Sequence, residues 1–279
     1  MFAVNLALIA CLCWGTSQFL AGMKSRVIPV IPLLTLTSMA GSAVYLAIVA
    51  LRGVPMPRDP NLLYAVLGGA AGVFGLYSLY RGLAVGAVSI VVPVSSLCVV
   101  PPVAASLIRG EIPHPVQGLG IVTAICGGVL ISFEKQPFKS KGSTAGGIVP
   151  AVGAALGFGA FFVVMDLAGS ADPLWASTIS RLSFFLLVLP AVFYTRPNLK
   201  VGVVHLPVVF TIGILDATAS FAYTAATTKG MLSLVSVISS LYPVVSLILA
   251  ALFFKERLRK FQYAGVMLIL LGVVMITVR

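Results

Sequence analysis

Apolar stretches of about twenty residues follow one another along the whole chain, and charges are confined almost entirely to the short segments between them. A helix needs about 20 apolar residues to cross a hydrocarbon core of roughly 30 Å. Ten such stretches can be marked off, at 2–22, 28–51, 61–83, 87–108, 115–133, 147–168, 174–195, 205–227, 231–253 and 261–278. Irregular backbone cannot face lipid, and the short alternating runs of a closed barrel are absent, so helices are what remains. The expected fold class is all-α, a polytopic membrane protein of about ten transmembrane helices. Only 9% of the residues are charged and 59% are hydrophobic, against roughly 25% charged in a soluble domain. The 279 residues leave enough over for loops and helix ends. They leave no room for a separate soluble catalytic domain.

The remaining chemistry is sparse. Cys11, Cys13, Cys98 and Cys126 all fall inside apolar segments and share no metal-ligand spacing with His114 or His205, so they read as packing residues. No metal or cofactor is expected. The formal charge of +11 is spread between apolar runs rather than gathered into a stripe, which fits membrane-surface anchors in a lipid bilayer and argues against nucleic acid. No basic flank precedes the first apolar run, so it reads as a retained helix rather than a cleaved signal.

The longest polar stretch, from Glu134 through Lys135, Lys139 and Lys141 to Thr144, divides the chain into a first five-helix repeat at 1–134, a connecting loop at 135–146 and a second five-helix repeat at 147–279. Glu111, Gly120 and Gly127 fall on Glu256, Gly265 and Gly272 at a constant offset of 145 residues, and Ser95-Ser96-Leu97 falls on Ser239-Ser240-Leu241 at an offset of 144. Five spans per half is an odd number, so the second half enters the membrane upside down relative to the first. Inverted repeats of this kind are typical of secondary transporters, whose substrate site lies near the midplane between them.

The carboxyl-terminal half carries Gly213-Ile214-Leu215-Asp216, Gly230-Met231-Leu232-Ser233, Ser239-Ser240-Leu241-Tyr242-Pro243 and Glu256-Arg257-Leu258 with Gln262 and Gly265. The first half adds Trp14-Gly15 and the run from Gly86 to Pro93. This series resembles the EamA-type branch of the drug/metabolite transporter superfamily over essentially the whole length, and in particular its bacterial ten-span carriers. The resemblance implies two inverted five-helix repeats, a central cavity for a small organic solute, usually exported, a multi-pass location in a bacterial plasma (inner) membrane, and termini in the cytoplasm. Charge points the other way on the location of the termini. Twelve Lys and Arg lie beyond the odd-numbered spans and five at the termini or in the other loops, which by the positive-inside rule places both termini outside. The two expectations conflict. One departure from symmetry is also expected: Cys98 stands 13 residues before Glu111 where Pro243 stands 13 before Glu256, and Pro101 and Pro102 come later, so the equivalent helices should be kinked at different depths.

Within this frame the intramembrane polar residues become candidates. Asp216 lies mid-span, where a carboxylate costs on the order of 2.5–3.5 kcal/mol and needs a partner. Helical spacing sets it on one face with Ser220 and Tyr223. It is read either as a contact for a substrate amine or for protons, or as a member of a structural ion pair. Arg181, in the first third of span seven, has three candidate roles: snorkelling to the interface, pairing with Asp166, or holding a substrate carboxylate. The Asp216 and Arg181 combination suggests a zwitterionic solute, provided the two do not pair with each other. Ser233, Ser236, Ser240 and Pro243 share a face of span nine, as Ser89, Pro93 and Ser96 do in span four. Proline frees the carbonyl four residues earlier, so these stripes are candidates for cavity lining, with Pro93, Pro101, Pro102 and Pro243 as helix hinges. Small polar residues also serve close packing alone. Trp14 and Gln18 share a face of span one, and Tyr77 and Tyr80 end span three; these aromatics can cap a cation or mark the interface. Glu111 and Glu256 read as surface turn residues.

Two function classes remain. The first is a secondary transporter moving a small metabolite, such as an amino acid or amphipathic amine, by alternating access as the repeats rock about the midplane, driven by solute exchange or by protons. No nucleotide-binding P-loop is present. The alternative is a flippase for a lipid or lipid-linked small molecule. Catalysis is disfavoured, since only one of seven acidic residues, Asp216, lies deep within a span. The sequence sets no oligomeric state.

Overall fold

The computed structural model describes residues 1–25, 27–85, 91, 94–132, 144–197, 201–254 and 260–277. Its helices are α1 (Phe2–Lys24), α2 (Val30–Arg52), α3 (Leu63–Val85), α4 (Val100–Ile108, entered through a 3-10 turn at Ser96–Val99), α5 (Pro115–Ser132), α6 (Thr144–Gly169), α7 (Pro173–Thr195), α8 (Leu206–Thr227), α9 (Leu232–Ser239), α10 (Tyr242–Phe254) and α11 (Lys260–Thr277). Helices α9 and α10 together make one crossing. Seven crossings are long and apolar enough to span a membrane, and the shorter apolar helices Ser96–Ile108, Pro115–Ile131 and Phe261–Thr277 bring the total to ten. Large apolar side chains cover the outer faces, as with Leu67 and Phe74 on α3 or Phe210 and Ile214 on α8. That surface carries no penalty where the surrounding solvent is lipid.

Glycine contacts display the symmetry of the two halves atom by atom. A Cβ placed on Gly213 would stand 2.5 Å from the Thr37 carbonyl oxygen, 2.8 Å from Ala40 Cβ and 3.2 Å from the Gly41 nitrogen. One on Gly69, 144 residues earlier, would meet the Ser180 oxygen at 2.6 Å, Ser183 Cβ at 2.6 Å and the Phe184 nitrogen at 2.8 Å. Likewise Gly15 is pressed on the Tyr242 carbonyl at 2.7 Å and Gly159 on that of Cys98 at 2.8 Å, again at an offset of 144. At the α5–α11 crossing Gly120 faces the Gly272 oxygen at 2.8 Å and Gly127 the Gly265 oxygen at 2.7 Å. Equivalent helices therefore run antiparallel where they meet, and the repeats are inverted.

The packing also interleaves the halves. The most extensive contacts join α3 to α6, α5 to α11 and α1 to α8, with α2 and α7 tying each set to the other. Each half of the chain thus finds its main partners in the other half, so the expectation that the repeats rock as separate bodies is corrected. The units defined by packing are mixed: α1 and α8 with α9 and α10, and their equivalents α6 and α3 with α4.

The expected difference in kink depth is also corrected. Regular α geometry is interrupted at Ser96–Val99 in one half and at Ser240–Leu241 in the other, which are equivalent at the offset of 144. Pro101, Pro102 and Pro243 each fall in the first turn after the break, where a proline's missing N–H leaves no partner unsatisfied. Unequal proline positions are thereby compatible with equal breaks. Pro93 and Ser89 lie outside the described residues, as do Gly86 and Glu256 and most of the connecting loop.

Because two backbones touch at the α5–α11 crossing, Gly127→Leu is expected to lower stability by about 1–3 kcal/mol, the usual range for overpacking. Gly118→Leu on the same helix, where a Cβ would meet nothing within 4 Å, should leave the melting temperature in detergent unchanged.

Candidate functional site

Two polar constellations lie in the interior. The first is the part-buried ion pair between Arg181 on α7 and Asp216 on α8. Gly41 on α2 makes room for it: a Cβ there would come within 3.2 Å of the arginine Nε. The guanidinium carbon also lies 5.9 Å from the centre of the Phe184 ring, within cation–π range. Beside the pair, Tyr45 of α2 donates its hydroxyl to the Ala217 carbonyl at 2.5 Å. Arg181 is 10% exposed and Asp216 33%, so the carboxylate is the more exposed member of the pair. Ser220 donates to the Asp216 backbone oxygen at 2.9 Å, which places its hydroxyl one turn along the same face.

Asp166 does not contribute to this pair. It bonds Arg109 at 2.5 Å, one turn from the end of α6, whereas Arg181 stands about two turns into α7. Helix depth separates the two. Because Asp216 and Arg181 neutralise one another, the motive for a zwitterionic solute held by two free charges is lost.

The second constellation is aromatic. The ring of Trp14 lies 5.9 Å from Phe162, 5.9 Å from Tyr223, 6.3 Å from Phe161 and 6.4 Å from Tyr242. Offset and edge geometries at such distances are the favourable ones. Tyr223, fully buried, donates to the Phe162 carbonyl at 2.9 Å and shares a 3.0 Å hydrogen bond with Ser236. The cluster joins α1, α6, α8 and the α9–α10 crossing. Tyr223 and Asp216 are seven residues apart, two turns or about 10 Å along α8, so the aromatic cluster and the carboxylate share a face.

Ser96 and Ser240 line a separate narrow slot, with a cavity volume of about 20 Å³, between the two helix breaks and α5 and α11. Its remaining walls are apolar apart from backbone, with Val99, Ile125, Leu241 and Ile269 among them. Ser240 turns its hydroxyl back to the Val237 oxygen at 2.8 Å. Gln18 is exposed on α1, and Tyr77 and Tyr80 are 61% and 41% exposed on α3; they stand apart from the aromatic cluster. Glu111 is more than a turn residue. Its carboxylate accepts from Ser106 at 2.6 Å and from the backbone N–H of Leu232 at 3.0 Å, capping the first turn of α9 from the other half of the chain. Among the described residues no group of three or more His, Cys, Asp or Glu side chains is placed to hold a metal.

Sequence reasoning missed Phe161, Phe162, Tyr242, Tyr45 and Gly41. The Phe161-Phe162 doublet in a Gly- and Ala-rich helix was a usable signal, because bulk amid small residues has to fill space that the neighbouring helices leave. Nothing in the spacing of Gly41 or Tyr45 pointed to Arg181 five helices later in the chain.

The model of the EamA-like transporter family matches residues 1–133 and again 145–278. The chain belongs to that family, and is a membrane transporter of the drug/metabolite transporter superfamily, integral and multi-pass. None of the curated proteins matches it. A protein solved by crystallography is similar in fold over 99% of this chain and 96% of its own, with a TM-score of 0.84 at 21% identity. At that identity the likeness speaks for the fold alone.

Loss of the Tyr223 hydroxyl leaves the Ser236 hydroxyl and the Phe162 carbonyl short of a partner. Tyr223→Phe should cost about 1 kcal/mol and Trp14→Ala about 3 kcal/mol or more. Thermal unfolding followed by tryptophan fluorescence is unsuited to the second variant, so both should be ranked by detergent-phase calorimetry.

Proposed function

We propose that this protein is a secondary transporter, an exporter of a small organic metabolite carrying an amine, such as an amphipathic amine, working by alternating access around a midplane site. The observation that carries the reading is the reach of Asp216: a carboxylate in the bundle interior whose partner, Arg181, is buried more deeply than itself. A substrate ammonium can compete with the guanidinium for that carboxylate, while the rings two turns away along α8 receive its apolar part. A carboxylate released from Arg181 can equally take up a proton, which supports coupling to protons. Segments 1–134 and 147–279 are read as the two inverted repeats, whose helices interleave to form both sides of this site, and a bacterial plasma membrane is the setting that the resemblance supports.

Proteoliposomes loaded with a mixed metabolite pool, read by mass spectrometry, test this. The parent should move a few small amines, and Asp216→Asn should lose at least about tenfold in rate. Removing one partner of a buried pair can also unfold a protein by stranding the other charge, so the double variant Arg181→Gln/Asp216→Asn is the decisive one. It should fold and still fail to transport. A double variant that transports as the parent does would make the pair structural and refute the assignment.

A further inference from the structure

The symmetry of the fold assigns a second gate. At the end of the molecule that carries both termini, α6 closes on α8: Phe162 accepts from Tyr223, and a Cβ on Gly169 would lie 3.1 Å from the Thr224 backbone oxygen. Glu111 adds its bond to Leu232 at the same end. The equivalents of α6 and α8 at the opposite end are α1 and α3. The offset of 144 established by Gly15 and Gly159, and by Gly69 and Gly213, converts Phe162 and Tyr223 into Gln18 and Leu79, and Gly169 and Thr224 into Ser25 and Tyr80.

Those equivalents are apart. Gln18, Gly22 and Ser25 are exposed along one side of α1, and Tyr80 is 41% exposed on α3. Among the described residues nothing lies within 4 Å of where a Cβ on Gly22 would stand, although its counterpart Asp166 is engaged by Arg109. Among the described residues, the equivalent helix pairs therefore differ: α6 and α8 are closed at one end of the molecule, and α1 and α3 are parted at the other. In an inverted repeat the two ends can exchange these conformations, because each half contains the elements for both.

We propose that Gln18 and Ser25 of α1 and Leu79 and Tyr80 of α3 form the second gate. In the other half of the cycle they close onto one another as Phe162 and Gly169 now close on Tyr223 and Thr224. This rests on the alternating-access reading above, and adds to it which side chains meet when the open end shuts. The two gates differ in chemistry. The gate at the terminal end is held by an aromatic cluster and the Arg109–Asp166 pair, whereas Gln18, Gly22 and Ser25 of α1 bring only small or neutral polar groups to the other. The state with the terminal end closed is consequently the favoured one without substrate.

The test uses a full-length chain in which Cys11, Cys13, Cys98 and Cys126 are replaced by alanine, carrying Ser25→Cys and Tyr80→Cys. Mild oxidation should form the cross-link slowly, and Gly169→Ala, which forces α6 off α8, should speed it at least about threefold. Labelling by a membrane-impermeant thiol reagent in detergent gives a second reading in two single-cysteine proteins. Gly169→Ala should slow it at Gln18→Cys and accelerate it at Ser233→Cys, whose parent hydroxyl is buried and without a partner. An unchanged cross-linking rate together with unchanged Gln18→Cys labelling overturns the gate. Acceleration at both cysteines overturns it too, since it reports general loosening rather than exchange. Neither reading requires a transported solute, so a parent protein that moves no amine in the liposome assay would refute the substrate class while leaving the gate to stand or fall on its own data.

Discussion

Close approach of helix backbones at glycine is the constraint from which the rest of this architecture follows. Lipid offers no hydrophobic drive to bring helices together, so van der Waals contact between near-bare backbones has to supply it. Gly15 and Gly159, Gly69 and Gly213, and the four glycines of the α5–α11 crossing supply such contacts in symmetric pairs. These contacts fix which helices touch, and they weave the two halves into mixed units. Once the weave is set, the larger side chains have defined spaces to fill, and the Trp14, Phe162 and Tyr223 cluster fills the one on the seam between the units.

Polarity enters where symmetry is broken. The positions equivalent to Arg181 and Asp216 are Ser38, at the offset of 143 that sets Thr37 against Ser180 between α2 and α7, and Gly72, at 144, so the ion pair exists once, not twice, in a bundle whose backbone is nearly two-fold. A membrane-embedded charge is costly, and a neutral pair reduces that cost without removing the carboxylate from reach. The Arg109–Asp166 bond is also single, since Gly22 stands at the position equivalent to Asp166. On the reading proposed above, backbone symmetry allows two related states, and unmatched side chains set which one is favoured and where a solute is held.

Much of this was legible in the sequence. Ten crossings follow from apolar run lengths, and the inversion follows from an odd span count together with the Glu111 and Glu256 register. Asp216, Ser220 and Tyr223 were correctly set on one face because helical spacing is local. What could not be read was tertiary. The partner of Arg181 was open between Asp166, Asp216 and solute, since depth along two different helices decides it. Kink depth was misjudged from proline position, because a proline after a break and a proline that causes one look alike in sequence. Rocking repeats were inferred from duplication, yet duplicated halves can interleave, and only the contacts of α3 with α6 and α1 with α8 show that they do.

The central claim is that one bundle closes one end while opening the other. Spin-label distances measured in bilayers would test it most directly, with one label pair at Ser25 and Tyr80 and another at Ser170 and Thr228, the latter at the terminal ends of α6 and α8. The account predicts a long first distance with a short second one, and a solute or Gly169→Ala that shifts both in opposite directions. Two distances that vary independently, or shorten together, would contradict it.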